Sequence, residues 1–101
     1  MQVYNIIGRF RLTMRIRDIK ISPHFERQYK KLPREIKEQA KEKEDIFRQD
    51  PFDLRLKTHK LHGRQSELWA FWISYHYRIV FLFLDDDSVL FLEIGTHKIY
   101  E

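Results

Sequence analysis

Two side chains in the C-terminal third of the chain are of types that act on phosphate esters. Arg78 lies inside the apolar run YHYRIVFLF, and His97 follows the next apolar run, in GTHKIY. A guanidinium matches phosphate in a bidentate fork, and an imidazole can accept or donate a proton near neutral pH. A charge within an apolar strand is costly unless it is paired or faces a cleft. Arg78 is therefore predicted either to pair, for example with Glu93, or to face an open cleft.

His59 and Tyr100 are further candidates for chemistry. His59 and His62 lie in KTHKLHG, which is half of a metal site without cysteine or a well-spaced carboxylate, so no metal site is predicted. Tyr100, near the chain end, either contacts a substrate or packs on the core. With three glycines in all, the chain has no P-loop, dinucleotide-binding or nucleophile-elbow motif, and no cofactor is predicted.

The formal net charge is +4, and the cations are unevenly distributed. Residues 51–64 carry four cations against the single acid Asp53. A basic loop beside an aromatic sheet fits RNA, which offers phosphates and stackable bases. Cations that serve solubility alone are the alternative interpretation. The predicted RNA-binding residues are Arg55, Lys57, Lys60 and Arg64.

Two helices are predicted in the first half of the chain. Residues 15–21 alternate in polarity and predict a short strand, after which Ser22-Pro23 reads as an N-cap followed by proline at the first helical position. Helical periodicity then places Phe25, Tyr29 and Leu32 on one face. Pro33 begins a second helix with an apolar face and many charged residues elsewhere, and Asp50-Pro51 ends it.

Three consecutive strands are predicted in the second half, over residues 68–75, 77–84 and 89–94. Trp69, Phe71, Ile73 and Tyr75 are expected to share one face of the first strand. A turn of acidic residues precedes the last strand, and Gly95 is expected to break it. Short strands joined by tight turns pair antiparallel, so the start of one strand and the end of the next meet, which brings Arg78 near His97. The result is an α+β fold, with an N-terminal strand and two helices on a mostly antiparallel sheet of about four strands.

Length and composition limit the alternatives. At 101 residues the chain is long enough for one core, predicted as residues 15–101 with residues 1–14 as an N-terminal extension. The chain has no cysteine, which suits a reducing cytoplasm. No apolar run approaches the roughly 18–20 residues that span a membrane, so a cytoplasmic protein without membrane contact is predicted.

From about Ile19 onward the sequence resembles the RelE/ParE toxin superfamily. The segments that carry the resemblance are SPHFERQYKKLP, DPFDLRLKTHKLHG and LWAFWISYHYRIVFLFLDDDSVLFLEIGTHKIY. They correspond to the opening helix, the basic connection, and the three-stranded sheet with its terminal Gly-Thr-His. The resemblance implies a RelE-like fold and the toxin of a type II toxin–antitoxin system. That toxin would be a metal-independent endoribonuclease that cleaves mRNA at the ribosome, and a cognate antitoxin would neutralise it.

The YafQ-like and YoeB-like branches are the most similar. By position, Arg78 matches the strand arginine of the YoeB-like pattern, His97 the C-terminal histidine of both, and His59 a histidine in the YafQ-like connection. Tyr100 resembles the terminal aromatic, although two residues rather than three separate it from His97. His76 stands where the YafQ-like pattern has an acid, and the YoeB-like glutamate is absent, with Arg55 near its place. The resemblance thus leaves the general base open between His97 and His59.

Two other functions compete with an mRNA-cleaving toxin. One is a ParE-like toxin that binds DNA gyrase without nuclease activity, although that branch has an arginine-rich tail and lacks the Gly-Thr-His ending. The other is a degenerate member that binds only its antitoxin or operator DNA. An assay of mRNA cleavage with and without ribosomes separates these functions.

Overall fold

Both predicted helices form, and their ends follow local chemistry. The computed structural model describes residues 15–63 and 67–100. Helix α1 spans Pro23–Lys30, and the Ser22 hydroxyl caps it by accepting from the Phe25 amide at 2.9 Å. Helix α2 spans Arg34–Gln49 and ends before Asp50-Pro51, as predicted. The residues so described contain no helix long and apolar enough to cross a membrane.

Among the described residues, the sheet has five strands in the order β1-β5-β4-β3-β2. The strands are β1 (Asp18–Ile21), β2 (His59–Lys60), β3 (Trp69–Trp72), β4 (Tyr77–Phe83) and β5 (Ser88–Thr96). Strand β1 runs parallel to β5, and the other neighbours are antiparallel. The α+β prediction with a mostly antiparallel sheet is confirmed. The short strand β2 was not predicted, because two residues in a basic loop carry no periodic signal.

The main core lies between the helices and one face of the sheet. Its buried residues include Phe47 from α2, surrounded by the rings of Phe71, Phe81 and Phe91 with centroids 4.7–5.6 Å apart. A bulge at Leu92 on β5 lets both Phe91 and Ile94 reach this core, since Val80 pairs with Glu93 while Phe81 pairs with Phe91. The Ser22 hydroxyl donates to the Leu92 carbonyl at 3.0 Å, so the N-cap residue of α1 also supplies a hydrogen bond to the carbonyl of the bulge residue.

The face away from the helices, here called the open face, carries a second, smaller cluster. Leu61, Ala70 and Val80 are buried in it, with Leu68 and Ile99 packed alongside. Ile99 belongs to the 3₁₀ turn His97–Tyr100 that follows β5. The C-terminal turn therefore folds back onto the open face.

Two predictions about the strands were wrong. Gly95 does not break β5, which continues to Thr96; instead a Cβ on Gly95 would lie 2.7 Å from Ile99 Cγ2, so a side chain there would collide with the C-terminal turn. Tyr75 does not join the core face, since β3 ends at Trp72 and Tyr75 is 73% exposed. The chain leaves the sheet early because residues 73–76 form a turn whose carbonyls accept hydrogen bonds from side chains.

Candidate active site

Arg78 is buried at the start of β4, with 7% of its surface exposed. Its Nη1 donates to the carbonyl oxygens of Ser74, Tyr75 and Tyr77 at 2.9, 2.8 and 3.1 Å. Its Nε is buried and has no hydrogen-bond partner in the described part of the chain. The guanidinium therefore shapes the turn before β4 with one nitrogen and leaves another unsatisfied.

The ion pair offered as one alternative for Arg78 does not form. Glu93 faces His24 instead, with Nε2 and Oε1 3.6 Å apart. In place of a carboxylate, the Arg78 guanidinium has Trp72, whose ring centroid lies 3.9 Å from Cζ. Stacking on an indole and donation to carbonyls keep the charge intact without neutralising it, which leaves its positive potential at this end of the sheet.

Lys57 contacts the same indole. Its Nζ lies 5.3 Å from the centroid of the Trp72 ring. Lys57 has a left-handed backbone with φ of 51°, and it closes the short 3₁₀ turn Leu54–Leu56. Trp72 therefore gathers two cations, one from the basic connection and one from β4. Trp72 lies on the open face, whereas Trp69 packs against the main core.

His59 lies on β2 opposite Ala70, which places it on the open face beside the second cluster. Its Nδ1 is 3.0 Å from the Lys57 carbonyl oxygen. A carbonyl can only accept, so Nδ1 carries the hydrogen, and the neutral ring then has its lone pair on Nε2. That tautomer is the one a base acting through Nε2 requires.

His97 begins the turn that follows β5, at the same end of the sheet as Arg78. The register pairs Arg78 with Gly95 and Tyr77 with Thr96, so His97 follows immediately. The predicted approach of β4's first residues to the end of β5 is confirmed at the level of backbone pairing. Tyr100 ends this turn, and its side chain is outside what the structure describes.

The predicted RNA-binding cations separate into different environments. Arg55 is paired with Asp53 through two side-chain hydrogen bonds of 2.9 Å, which lower the pKa of Asp53 to about 2. Lys60 Nζ lies 5.9 Å from the centroid of the Trp69 ring, on the core face of β3. Lys57 contacts Trp72 instead, which lies on the open face of the same strand. Arg64 lies outside the described residues. Among the three described cations of this set, only Lys57 contacts the Trp72 ring on which Arg78 stacks.

A groove on the helical side is separate from this site. A groove of about 260 Å³ lies between β1, α1 and α2, and its lining includes Ile19, Phe25 and Phe91 but none of the predicted catalytic residues. In the parts of the chain with described coordinates, no three His, Asp or Glu side chains come together to hold a metal ion.

Lys43 and Tyr75 were not predicted from the sequence. Lys43 Nζ donates from α2 to the Ile73 carbonyl at 2.8 Å, and Tyr75 projects from the turn that this bond helps to fix. One of many lysines on a charged helix gives no signal of such a role. Tyr75 continued an alternating pattern, and only the polar neighbours in ISYHY hinted at a turn.

No family model and no curated protein matches the chain. Solved structures do. YafQ from E. coli superposes with a TM-score of 0.67 at 20% identity, covering 83% of this chain and 97% of that one. The YoeB dimer from Staphylococcus aureus gives a TM-score of 0.67 at 18% identity, covering 82% of this chain and 98% of that one. The RelE–RelB complex from Pyrococcus horikoshii gives 0.63 at 19% identity, covering 78% and 92%.

These likenesses concern the fold, since all three identities are 20% or less. They cover 97%, 98% and 92% of the compared chains, so the likeness extends over nearly the whole fold of those proteins. The resemblance read from the sequence is confirmed at this level: the chain has the RelE-like fold of the YafQ, YoeB and RelE toxins.

Proposed function

We propose that the chain is the toxin of a type II toxin–antitoxin system and cleaves mRNA as a metal-independent endoribonuclease. One observation carries the proposal: within a toxin fold, the elements bearing Lys57, Arg78 and His97 meet at one end of the sheet, with His59 one strand away on the open face. These are the residue types that phosphodiester cleavage needs, namely fixed cations and groups that titrate near neutrality.

The proposed reaction uses the RNA's own 2′-hydroxyl. One histidine, either His97 or His59, takes the 2′-hydroxyl proton as the oxygen attacks the adjacent phosphorus. The bond from phosphorus to the 5′-oxygen breaks, and a protonated acid supplies the proton that this oxygen needs. Arg78 supplies positive potential to the transition-state phosphate, and Tyr100 is the further candidate at the site. The products are a 2′,3′-cyclic phosphate and a 5′-hydroxyl.

The proposed partners are an antitoxin, mRNA and the ribosome. The RelE of Pyrococcus horikoshii and the YafQ of E. coli are both known in complex with their antitoxins, RelB and DinJ. An antitoxin with an acidic segment would complement the +4 charge of this chain. Native mass spectrometry of the pair, co-expressed from adjacent genes, should show a stable complex. A chain that forms no complex and is harmless when overproduced would contradict the assignment.

Inducible expression in a bacterial host tests the function. Induction of the wild-type chain should stop growth and protein synthesis within minutes, and primer extension on cellular mRNA should reveal new 5′ ends. The His97→Gln variant should leave both growth and mRNA intact. Growth arrest with uncut mRNA and altered plasmid supercoiling would instead identify a gyrase-binding toxin.

A further inference from the structure

The turn between β3 and β4, residues 73–76, is held by cations from two elements. Lys43 donates to the Ile73 carbonyl at 2.8 Å, and Arg78 donates to those of Ser74 and Tyr75 at 2.9 and 2.8 Å. The Ile73 amide also donates to the Tyr77 carbonyl at 2.9 Å. A turn fixed in this way loses little further freedom on binding, which lowers the entropic cost of contacts made by its side chains.

Tyr75 is the side chain that this turn presents to solvent. It is 73% exposed. Its ring meets Trp72 at 5.9 Å and His76 at 5.0 Å between centroids, with interplanar angles of 84° and 83°. Both contacts are T-shaped, and in the described part of the chain neither forms a parallel stack on Tyr75. Exposed aromatic rings of this kind are the side chains on which proteins stack the unpaired bases of single-stranded nucleic acid.

The surroundings of Tyr75 favour a polyanion over an apolar protein surface. Arg78 and Lys57 contact the Trp72 ring that supports it, and the segments 72–78 and 95–100 contain no Asp or Glu. The other large exposed apolar side chains lie on different elements: Ile21, Leu54 and Leu84. Among the residues that the structure describes, Tyr75 therefore does not belong to a continuous apolar patch of the size that marks a protein interface.

We propose that Tyr75 stacks on an unpaired base of single-stranded RNA and so positions the strand for the site at Arg78 and His97. The proposal rests on RNA being the substrate, and it adds a positioning residue outside the set that performs the chemistry. Lys57 and Arg78 attract the phosphates beside the stacked base, while Lys43 and Arg78 hold the turn in place.

Fluorescence anisotropy with a labelled single-stranded RNA of about 12 nucleotides tests the proposal, at about 50 mM salt to favour phosphate contacts. All variants carry His97→Gln, so that binding is measured without cleavage. Tyr75→Ala should weaken binding about tenfold, within the range for the loss of one stacked base, while Tyr75→Phe should bind like the parent. Leu84→Ala, which removes an exposed apolar side chain near the acidic turn, is the matched control and should change nothing.

A second arm replaces bases of the RNA by abasic sites. The parent should lose about the same factor on one abasic RNA, and Tyr75→Ala should be insensitive to that site. Equal affinity of Tyr75→Ala and parent, equal loss in Tyr75→Phe, or no RNA binding by the parent would each overturn the proposal. Loss of antitoxin binding alone in Tyr75→Ala would assign the residue to a protein interface instead. A wild-type chain that binds RNA through Tyr75 without cutting it would sink the nuclease function and leave this inference standing.

Discussion

At the scale of single residues, Arg78 has two roles to reconcile. Its guanidinium donates to three backbone carbonyls and stacks on Trp72, so it holds the turn whether or not it also meets a phosphate. A planar guanidinium performs both contacts, whereas the ammonium of lysine is a point charge without a fork. Substitutions at position 78 can therefore separate the effect of the positive charge from the effect of the planar guanidinium.

We expect Arg78→Ala to lower the free energy of unfolding by about 1–3 kcal/mol, because partly buried carbonyls lose their donor. Arg78→Lys should recover part of that stability and little of the activity, since the fork on Trp72 and the turn is lost. Urea denaturation and the rate of RNA cleavage measure the two effects. An Arg78→Ala variant as stable as the wild type would contradict the structural half of this role.

The pKa of Asp53 reports on its ion pair with Arg55. Side-chain hydrogen bonds from Arg55, then its backbone amide, lower the pKa of Asp53 to about 2. A depressed carboxyl pKa contributes stability that is present above its unfolded value of about 4 and is lost as the pH falls through about 2. Carboxyl NMR should place the Asp53 midpoint near pH 2 in the wild type and higher in Arg55→Ala, where only the backbone amide of residue 55 still donates to the carboxylate. Equal midpoints in both proteins would show that Arg55 is not held by this pair.

At the scale of elements, the helices were predictable and the site's connections were not. Ser22-Pro23 and Asp50-Pro51 mark helix ends through local chemistry, and the structure confirms both. Strand β2 and the early end of β3 depend on tertiary contacts, namely pairing with Ala70 and the cations that hold residues 73–76. The sequence therefore indicated Arg78, His59 and His97 as candidates but could not indicate Lys43 or Tyr75.

Gly95 couples β5 to the turn that carries His97. We expect Gly95→Ala to destabilise the protein by about 1–3 kcal/mol, because the added Cβ would lie 2.7 Å from Ile99 Cγ2. Cleavage should fall as well, since relief of the clash moves the turn. In the double variant Gly95→Ala with Ile99→Ala the colliding methyl is gone, so the loss measured by urea denaturation should be smaller than the sum of the single losses. Strict additivity would refute the coupling.

Lys57 and Lys60 form a matched pair in the basic connection. Lys57 contacts Trp72, which also meets Arg78, whereas Lys60 contacts Trp69 on the side of the main core. We expect Lys57→Glu to reduce kcat/KM for RNA roughly tenfold through lost electrostatic attraction, and Lys60→Glu to reduce it less. Steady-state cleavage at two salt concentrations measures this. A larger effect at Lys60 would indicate that RNA binds along the face of β2 that carries Lys60, beside Trp69, rather than along the open face.

At the scale of the whole molecule, the two ends of β4 carry different charged groups. Lys57, Arg78, His97 and Lys98 lie toward the end where β4 begins, and the turn with Asp85, Asp86 and Asp87 lies at the end where it stops. The seven residues of β4 separate the two ends by about 20 Å. Arg17 lies 3.8 Å from Asp87 and Lys20 pairs with Asp18, so cations partly offset the acids at that end. Under the proposed function, the cations where β4 begins attract the RNA phosphates and favour binding at that end.

The chemistry of the RNA ends is the most direct test of the central claim. Purified wild-type protein, assayed both with and without ribosomes, should cut a synthetic mRNA and leave 5′-hydroxyl ends with 2′,3′-cyclic phosphates or their 3′-phosphate products. His97→Gln should lower that rate by about 10²–10⁴, as expected for a lost acid–base group. Products with 5′-phosphate and 3′-hydroxyl ends, or undiminished cleavage by the folded double variant Arg78→Ala with His97→Gln, would contradict the account.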